Sequence, residues 1–166
     1  MNTCAEGACC FTGHRPGKLI GGEAALRAAL RREIVSAIAC GTDRFITGMA
    51  PGIDIWAAEE VLNIRQGNKN IGLICDVPFE GAEKNRPAEQ QSEFRMVLAE
   101  ADEVVYVCPH YSARSFHLRD EWMVDHAAKV IAVFNGAHGG TEYTLRYAKK
   151  RGREIILIND VRSEPV

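Results

Sequence analysis

No cysteine pair in this sequence has Cys-x-x-Cys spacing, and no Cys/His grouping is spaced as in a zinc site. Cys4, Cys9, Cys10, Cys40, Cys75 and Cys108 are scattered, and Cys9, Cys75 and Cys108 lie in or beside apolar runs. They read as reduced thiols acting as small hydrophobes, which implies a reducing compartment and a cytoplasmic location. His110, His117, His126 and His138 have no ligand spacing, so neither a metal nor a cofactor is expected. A basic segment followed by a long apolar run is missing from the N-terminus, and no apolar stretch reaches the length of a membrane span. An excess of positive charge is missing too: 20 Lys and Arg stand against 22 Asp and Glu, a formal net charge of -2. Non-specific nucleic-acid binding needs a basic field, so nucleic acid is not an expected partner. Neither an internal repeat nor a low-complexity stretch is found, which excludes solenoid architectures.

What is present is a regular alternation of apolar strands and amphipathic helices. The 166 residues suit one domain with a full core, ending in a polar tail over 160–166. Ala8–Thr12 reads as a first strand. Leu26, Leu30, Ile34 and Ile38 then recur every four residues, which makes a helix opening near Glu23. Arg44–Ile46 is a second strand, and Ile53, Ala57, Val61 and Ile64 form the stripe of the next helix. Ile71–Val77 is a third strand, followed by a helix from about Ala88 to Ala101. Glu103–Cys108, Val130–Phe134 and Glu154–Ile158 complete six strands, with helices near Phe116–Ala127 and Thr141–Arg151 between them. Continuous apolar strands separated by helices predict an α/β, Rossmann-like three-layer sandwich. Its sheet is six-stranded and mostly parallel, with helices on both faces.

Three glycine-rich turns follow strands. Thr12-Gly13-His14-Arg15-Pro16 follows the first, Thr47-Gly48-Met49-Ala50-Pro51-Gly52-Ile53-Asp54 the second, and Gly139-Gly140-Thr141 the fifth. A strand that breaks into a glycine-rich turn and then a helix presents unpaired N–H groups and a positive dipole end to an anion. In a parallel sheet all three turns share the carboxyl edge and can converge on one ligand. Thr12, Gly13, Arg15, Gly48, Met49, Ala50, Gly52, Asp54, Gly139, Gly140 and Thr141 are the expected contacts. Phe79 either stacks on a base or packs the end of its strand. Thr141 serves as a phosphate contact, a helix cap, or both.

These three turns, with Trp122-Met123-Val124-Asp125 and Tyr147-Ala148-Lys149-Lys150, resemble the YpsA-like branch of the SLOG superfamily. That superfamily joins the Rossmann-like domains of the DprA recombination mediators and the LONELY GUY cytokinin-activating enzymes. The resemblance spans nearly the whole chain and implies a Rossmannoid sheet with a site for nucleotides or nucleotide-derived ligands. It does not fix a reaction. LONELY GUY enzymes carry R-K-x-x-M and P-G-G-x-G-T-x-E-E motifs. Here Asp120 stands in place of the Lys, Asn135 and Ala137 break the second motif, and the carboxylate falls at Glu142 with Tyr143 in its usual place.

Three functions follow as expectations. The first is a sensor or carrier for a small nucleotide, of NAD, ADP-ribose or nucleoside monophosphate type. The second, implied by the LONELY GUY resemblance, is a phosphoribohydrolase with Arg119 and Glu142 as its catalytic pair. For Glu142 the competing reading is a carboxylate that complements the helix dipole. The third is single-strand DNA binding like DprA. A homodimer is expected by analogy.

Overall fold

A computed structural model describes residues 7–162; Cys4 and the end of the 160–166 tail lie outside them. Six strands run through the chain: β1 (Cys9–Gly13), β2 (Arg44–Thr47), β3 (Gly72–Phe79), β4 (Glu103–Cys108), β5 (Lys129–Phe134) and β6 (Glu154–Asn159). Five helices alternate with them: α1 (Glu23–Ala39), α2 (Ile53–Gly67), α3 (Ala88–Glu100), α4 (Ser115–Asp125) and α5 (Gly140–Lys150). Every strand pairing is parallel, and the order across the sheet is β4-β3-β2-β1-β5-β6. The expected α/β Rossmann-like sandwich is what the chain forms.

The period-two alternation of the strands divides the core into two layers. Phe11, Phe45, Leu73, Val77, Ile131 and Val133 point to one face. There they meet Leu26, Leu30 and Ile34 of α1, Ile53, Ala57 and Val61 of α2, and Phe94 and Val97 of α3. Cys10, Ile46, Ile74 and Val130 point to the other face, against Met123 and Val124 of α4 and Ala148 of α5. Burial of each large apolar side chain contributes about 1.5–3 kcal/mol, offset by the entropy of ordering the chain. Pro78 is tolerated inside β3 because β2 ends at Thr47, opposite Cys75, so Pro78 has a strand neighbour on one side only.

The connections set the position of the site. From β1 the chain steps outward through β2 and β3 to β4, then returns across the sheet to place β5 on the other side of β1. The strand order therefore reverses between β1 and β5. At such a switch point the loops leaving two adjacent strands part to opposite faces and leave a crevice at the carboxyl edge.

One polar residue of the tail belongs to the body of the fold. Asp160 is buried; its carboxylate accepts from the Ile20 and Gly21 N–H groups at 2.8 and 2.6 Å and from Asn135 Nδ2 at 2.8 Å. It ties the loop after β1 to the loop after β5. Reading 160–166 as a tail therefore needs correction at its first residue.

Candidate functional site

A cleft of about 290 Å³ opens at the carboxyl ends of β1 and β5. Its walls come from the loop after β1, the turn after β2, the first half of α4 and the start of α5. Thr12, Gly13, Arg15, Ala50, Asp54, Arg119, Gly140 and Thr141, all singled out in the sequence, line it together. His14, Lys18, Phe116, His117 and Asp120 line it as well.

Each wall has a local cause. Gly13 lets β1 run against α2: a Cβ there would sit 2.5 Å from the Ile53 side chain. Pro16 opens a single 3-10 turn, Pro16–Lys18, that carries Lys18 across to the fifth strand's loop. There Lys18 Nζ donates to the His138 carbonyl at 3.1 Å, and Asn135 Nδ2 donates back to the Lys18 carbonyl at 2.8 Å. Helix α5 begins with Gly139 as its N-cap, and no side chain caps it. Its first N–H groups are thus left without an internal partner, and Gly140 and Thr141 face the cleft.

The turn after β2 is tightly folded. Gly52 has φ 89°, and a Cβ on it would lie 2.9 Å from Pro16 Cδ and 3.1 Å from the His14 carbonyl. Met49 takes φ 63°, a left-handed conformation for a residue with a side chain. Thr47 Oγ1 holds the turn by donating to the Asp54 carbonyl at 2.8 Å. Gly48, Met49 and Gly52 therefore shape the wall from behind, whereas Ala50 and Asp54 reach its surface.

Below this turn lies a buried charge cluster. Arg119 Nε donates to Asp120 Oδ1 at 2.9 Å, and its Nη1 donates to the Gly48 carbonyl at 2.9 Å. Burial opposes the charge on Arg119, but Asp120 and Asp54 outweigh it and raise its pKa. Asp54 Oδ2 accepts from the Ala50 N–H at 3.2 Å. Burial pushes the Asp54 carboxyl up to about 6, against the pull of Arg119. Asp76, in the middle of β3, is 0% exposed, and neither of its oxygens has a hydrogen-bond partner. Burial pushes it up to about 8, with Arg119 opposing, so it carries a proton at neutral pH. Arg86 donates to the Met49 carbonyl at 2.8 Å; burial, then Arg15 and Arg119, bring it down to about 10.

His14 is buried against Phe134 and faces the cleft. Burial lowers its pKa, with Asp160 opposing, so the ring is neutral near pH 7. Its Nε2 accepts from the Asn135 N–H at 3.4 Å, which leaves the proton on Nδ1.

Besides Gly48, Met49 and Gly52, three more of the singled-out residues, Gly139, Phe79 and Glu142, lie off the lining. Gly139 sits behind α5's first turn, with Lys18 Nζ 3.1 Å from where its Cβ would be. Phe79 packs edge-on against Tyr111 and Phe116, so Phe116 is the aromatic ring that reaches the cleft, under the guanidinium groups of Arg15 and Arg119. Glu142 lies beside the N-terminus of α5, held by His138 Nδ1 at 2.6 Å and Arg146 Nη2 at 2.9 Å. The His138 hydrogen bond, then Arg146, hold its carboxyl below the usual range. The carboxylates that line the cleft are Asp54 and Asp120. Asp76 had one sequence signal, a lone carboxylate inside an otherwise apolar strand; Asp160 had none.

A larger groove of about 810 Å³ runs between α2 and α3, lined by Leu62, Met96 and Val97 among charged residues. No strand end or helix N-terminus reaches it, so it lacks the anion-binding features of the cleft. Among the described residues no group of three His, Cys, Asp or Glu is placed to hold a metal ion. No described helix is long and apolar enough to cross a membrane.

Known proteins bear on these features. In Bacillus subtilis (strain 168), the uncharacterized SPbeta prophage-derived protein YoqJ is 32% identical over 119 residues, covering 64% of this chain and 70% of its own. A UPF0398 protein of Bacillus cereus (strain G9842) is 25% identical over 134 residues, covering 79% of this chain and 73% of its own. Among solved structures, DNA processing protein A (DprA) from Streptococcus pneumoniae superposes with a TM-score of 0.64 at 15% identity over 91% of this chain. DNA processing protein A from Helicobacter pylori, described for its single-stranded DNA binding mode, gives 0.63 at 16% identity over 90%. This chain spans only 50% and 64% of those two proteins, and at such identities the likeness is one of fold. The family model for YpsA, described as the YspA SLOG family, matches residues 9–160, and the chain therefore belongs to that family.

Proposed function

We propose that the cleft binds a nucleotide or nucleotide-derived small molecule, and that the protein works as a sensor or carrier of it. The observation that carries this reading is the uncapped N-terminus of α5 opening into a cleft at the β1–β5 switch point. Free N–H groups and the helix dipole favour an anion there. Arg15 and Lys18 add donors on the same side. At about 290 Å³ the cleft sits at the low end of the roughly 300–1,000 Å³ typical of small-molecule sites. That size suits a mononucleotide better than a dinucleotide.

Hydrolysis of an N-glycosidic bond is the second reading. It would need a carboxylate facing the ligand, and Asp54 or Asp120 is better placed for that than Glu142. Single-strand DNA binding is a third. The fold likeness to the DprA proteins supports it, and the net charge of -2 opposes it.

A thermal-shift screen tests the first reading, because a ligand that binds only the folded chain raises the melting temperature. Nucleoside monophosphates, ADP-ribose and NAD are the probes. A rise with a mononucleotide that disappears in Arg15→Glu supports the proposal; no rise with any probe at millimolar concentration rejects it. Incubation with the same monophosphates and chromatography for free base tests hydrolysis. A gel shift on oligodeoxythymidylate at low salt tests DNA binding.

A further inference from the structure

The two sides of the cleft differ chemically. The side made by the loop after β1 and the start of α5 offers donors: backbone N–H groups, Arg15 and Lys18. The side made by the turn after β2 and by α4 offers carboxylates. Gly48 brings the two carboxylate-bearing elements together, since a Cβ on it would lie 2.9 Å from Asp54 Oδ2 and 3.0 Å from Arg119 Cδ.

Asp54 and Asp120 are both more than nine-tenths buried, yet both reach the cleft. In each, one oxygen is engaged: Asp54 Oδ2 by the Ala50 N–H, and Asp120 Oδ1 by Arg119 Nε. The second oxygen of each has no hydrogen-bond partner among the described residues. Neither is sealed inside the protein, because among the described residues the fully buried unpartnered side-chain atoms are those of Asp76 alone. Arg119 balances one of the two charges. The remaining acceptors need donors that enter from the cleft, and no metal-holding cluster exists among the described residues to supply a cation instead.

We propose that Asp54 and Asp120 form a ribose-diol subsite. The cleft then takes 5′-phosphorylated ribose compounds, with the phosphate on the α5 side, and discriminates against their 2′-deoxy counterparts. Vicinal hydroxyls are neutral, paired donors, and the free oxygens of two carboxylates lining one cleft are acceptors for such a pair. An acidic residue on a ribose hydroxyl is a general device of nucleotide-binding α/β sheets. A site built to hydrogen-bond a hydroxyl penalises the analogue that lacks it, since the buried acceptor is left unpaired. A nucleotide inside a DNA strand has neither a 2′-hydroxyl nor a free 3′-hydroxyl, so the same subsite disfavours DNA.

This inference rests on the nucleotide reading above, and its test separates the two. Binding of AMP, GMP, CMP and UMP to the full chain is measured by calorimetry beside the matching 2′-deoxynucleotides. The wild type, Asp54→Asn and Asp120→Asn are compared, with a thermal melt to establish that each is folded. The expected result is a ribonucleotide bound about 10- to 100-fold more tightly than its 2′-deoxy form, the loss of one hydrogen bond to a charged acceptor. That ratio falls toward one in Asp54→Asn or Asp120→Asn, while binding of the 2′-deoxy form is little changed. Equal affinities in the wild type, or a ratio untouched in both variants, overturn the diol subsite and leave nucleotide binding standing. No binding by any of the eight compounds rejects the nucleotide reading, and the subsite falls with it. Should a variant fail to fold, the wild-type ratio alone decides.

Discussion

Asp76→Asn tests whether a protonated carboxyl really lies inside the sheet. Asp76 is raised from 3.8 to about 8, chiefly by burial. Below the unfolded pKa both states hold the proton and the residue carries no pH-dependent cost. As pH rises, the unfolded chain ionises first, so the folded state binds the extra proton and stability falls until about pH 8. At about 1.36 kcal/mol per unit, the full shift of about four units corresponds to a loss on the order of 5 kcal/mol. Asp54, raised to about 6, loses stability in the same direction but has finished by then. His14 works oppositely, since its lowered pKa favours folding as pH rises through the His range. Over pH 6.5 to 8 the difference between wild type and Asp76→Asn therefore isolates Asp76, with an expected loss of about 2 kcal/mol in the wild type. Asn keeps the shape and removes the titration. Its amide is unpartnered at every pH, so Asp76→Asn changes the absolute stability but flattens the slope. Urea unfolding at half-unit steps from pH 5.5 to 8.5 measures both. Parallel slopes for wild type and Asp76→Asn would refute the reasoning and show Asp76 ionised beside Arg119 in the folded protein.

Two further substitutions probe the walls of the cleft. At Gly140 an added Cβ meets nothing within 4 Å, and a carboxylate in a first helical turn adds roughly 0.3–1 kcal/mol. Gly140→Asp is therefore expected to leave the melting temperature unchanged or slightly higher while weakening binding of a mononucleotide at least tenfold, as read by calorimetry. At Gly52, φ is 89° and a Cβ would press on Pro16 and the His14 carbonyl. Gly52→Ala is expected to destabilise by about 1–3 kcal/mol in urea unfolding, and an unchanged midpoint would contradict the packing described.

The strands were legible because each is a mostly apolar run flanked by glycine or a charged residue, as in Val130–Phe134 before Asn135-Gly136. Helix α1 was legible because Leu26, Leu30 and Ile34 repeat on one face. The convergence of the three turns followed from parallel order alone. Details that depend on rotation or chain path were not legible. Glu142 follows Thr141, but one helical step of about 100° carries its side chain toward His138 and Arg146. Phe79 and Phe116 are both aromatics near strand ends, and only the path after β4 decides that Phe116 reaches the cleft. Asp160 reads as the start of a polar tail, yet Ile20, Gly21 and Asn135, far away in sequence, bury it. Asp120 reads either as the carboxylate that holds Arg119 or as charged helix surface, and the structure shows the pair, with Arg119 Nε donating to Asp120 Oδ1 at 2.9 Å.

The central claim, that a nucleotide binds where β1 and β5 part, is tested most directly by titrating AMP into the ¹⁵N-labelled chain and following the backbone amides. The largest shifts are expected at Gly13, Ala50, Gly140 and Thr141, saturating together with one affinity. Shifts confined to the groove between α2 and α3, or no shifts at millimolar AMP, would contradict it.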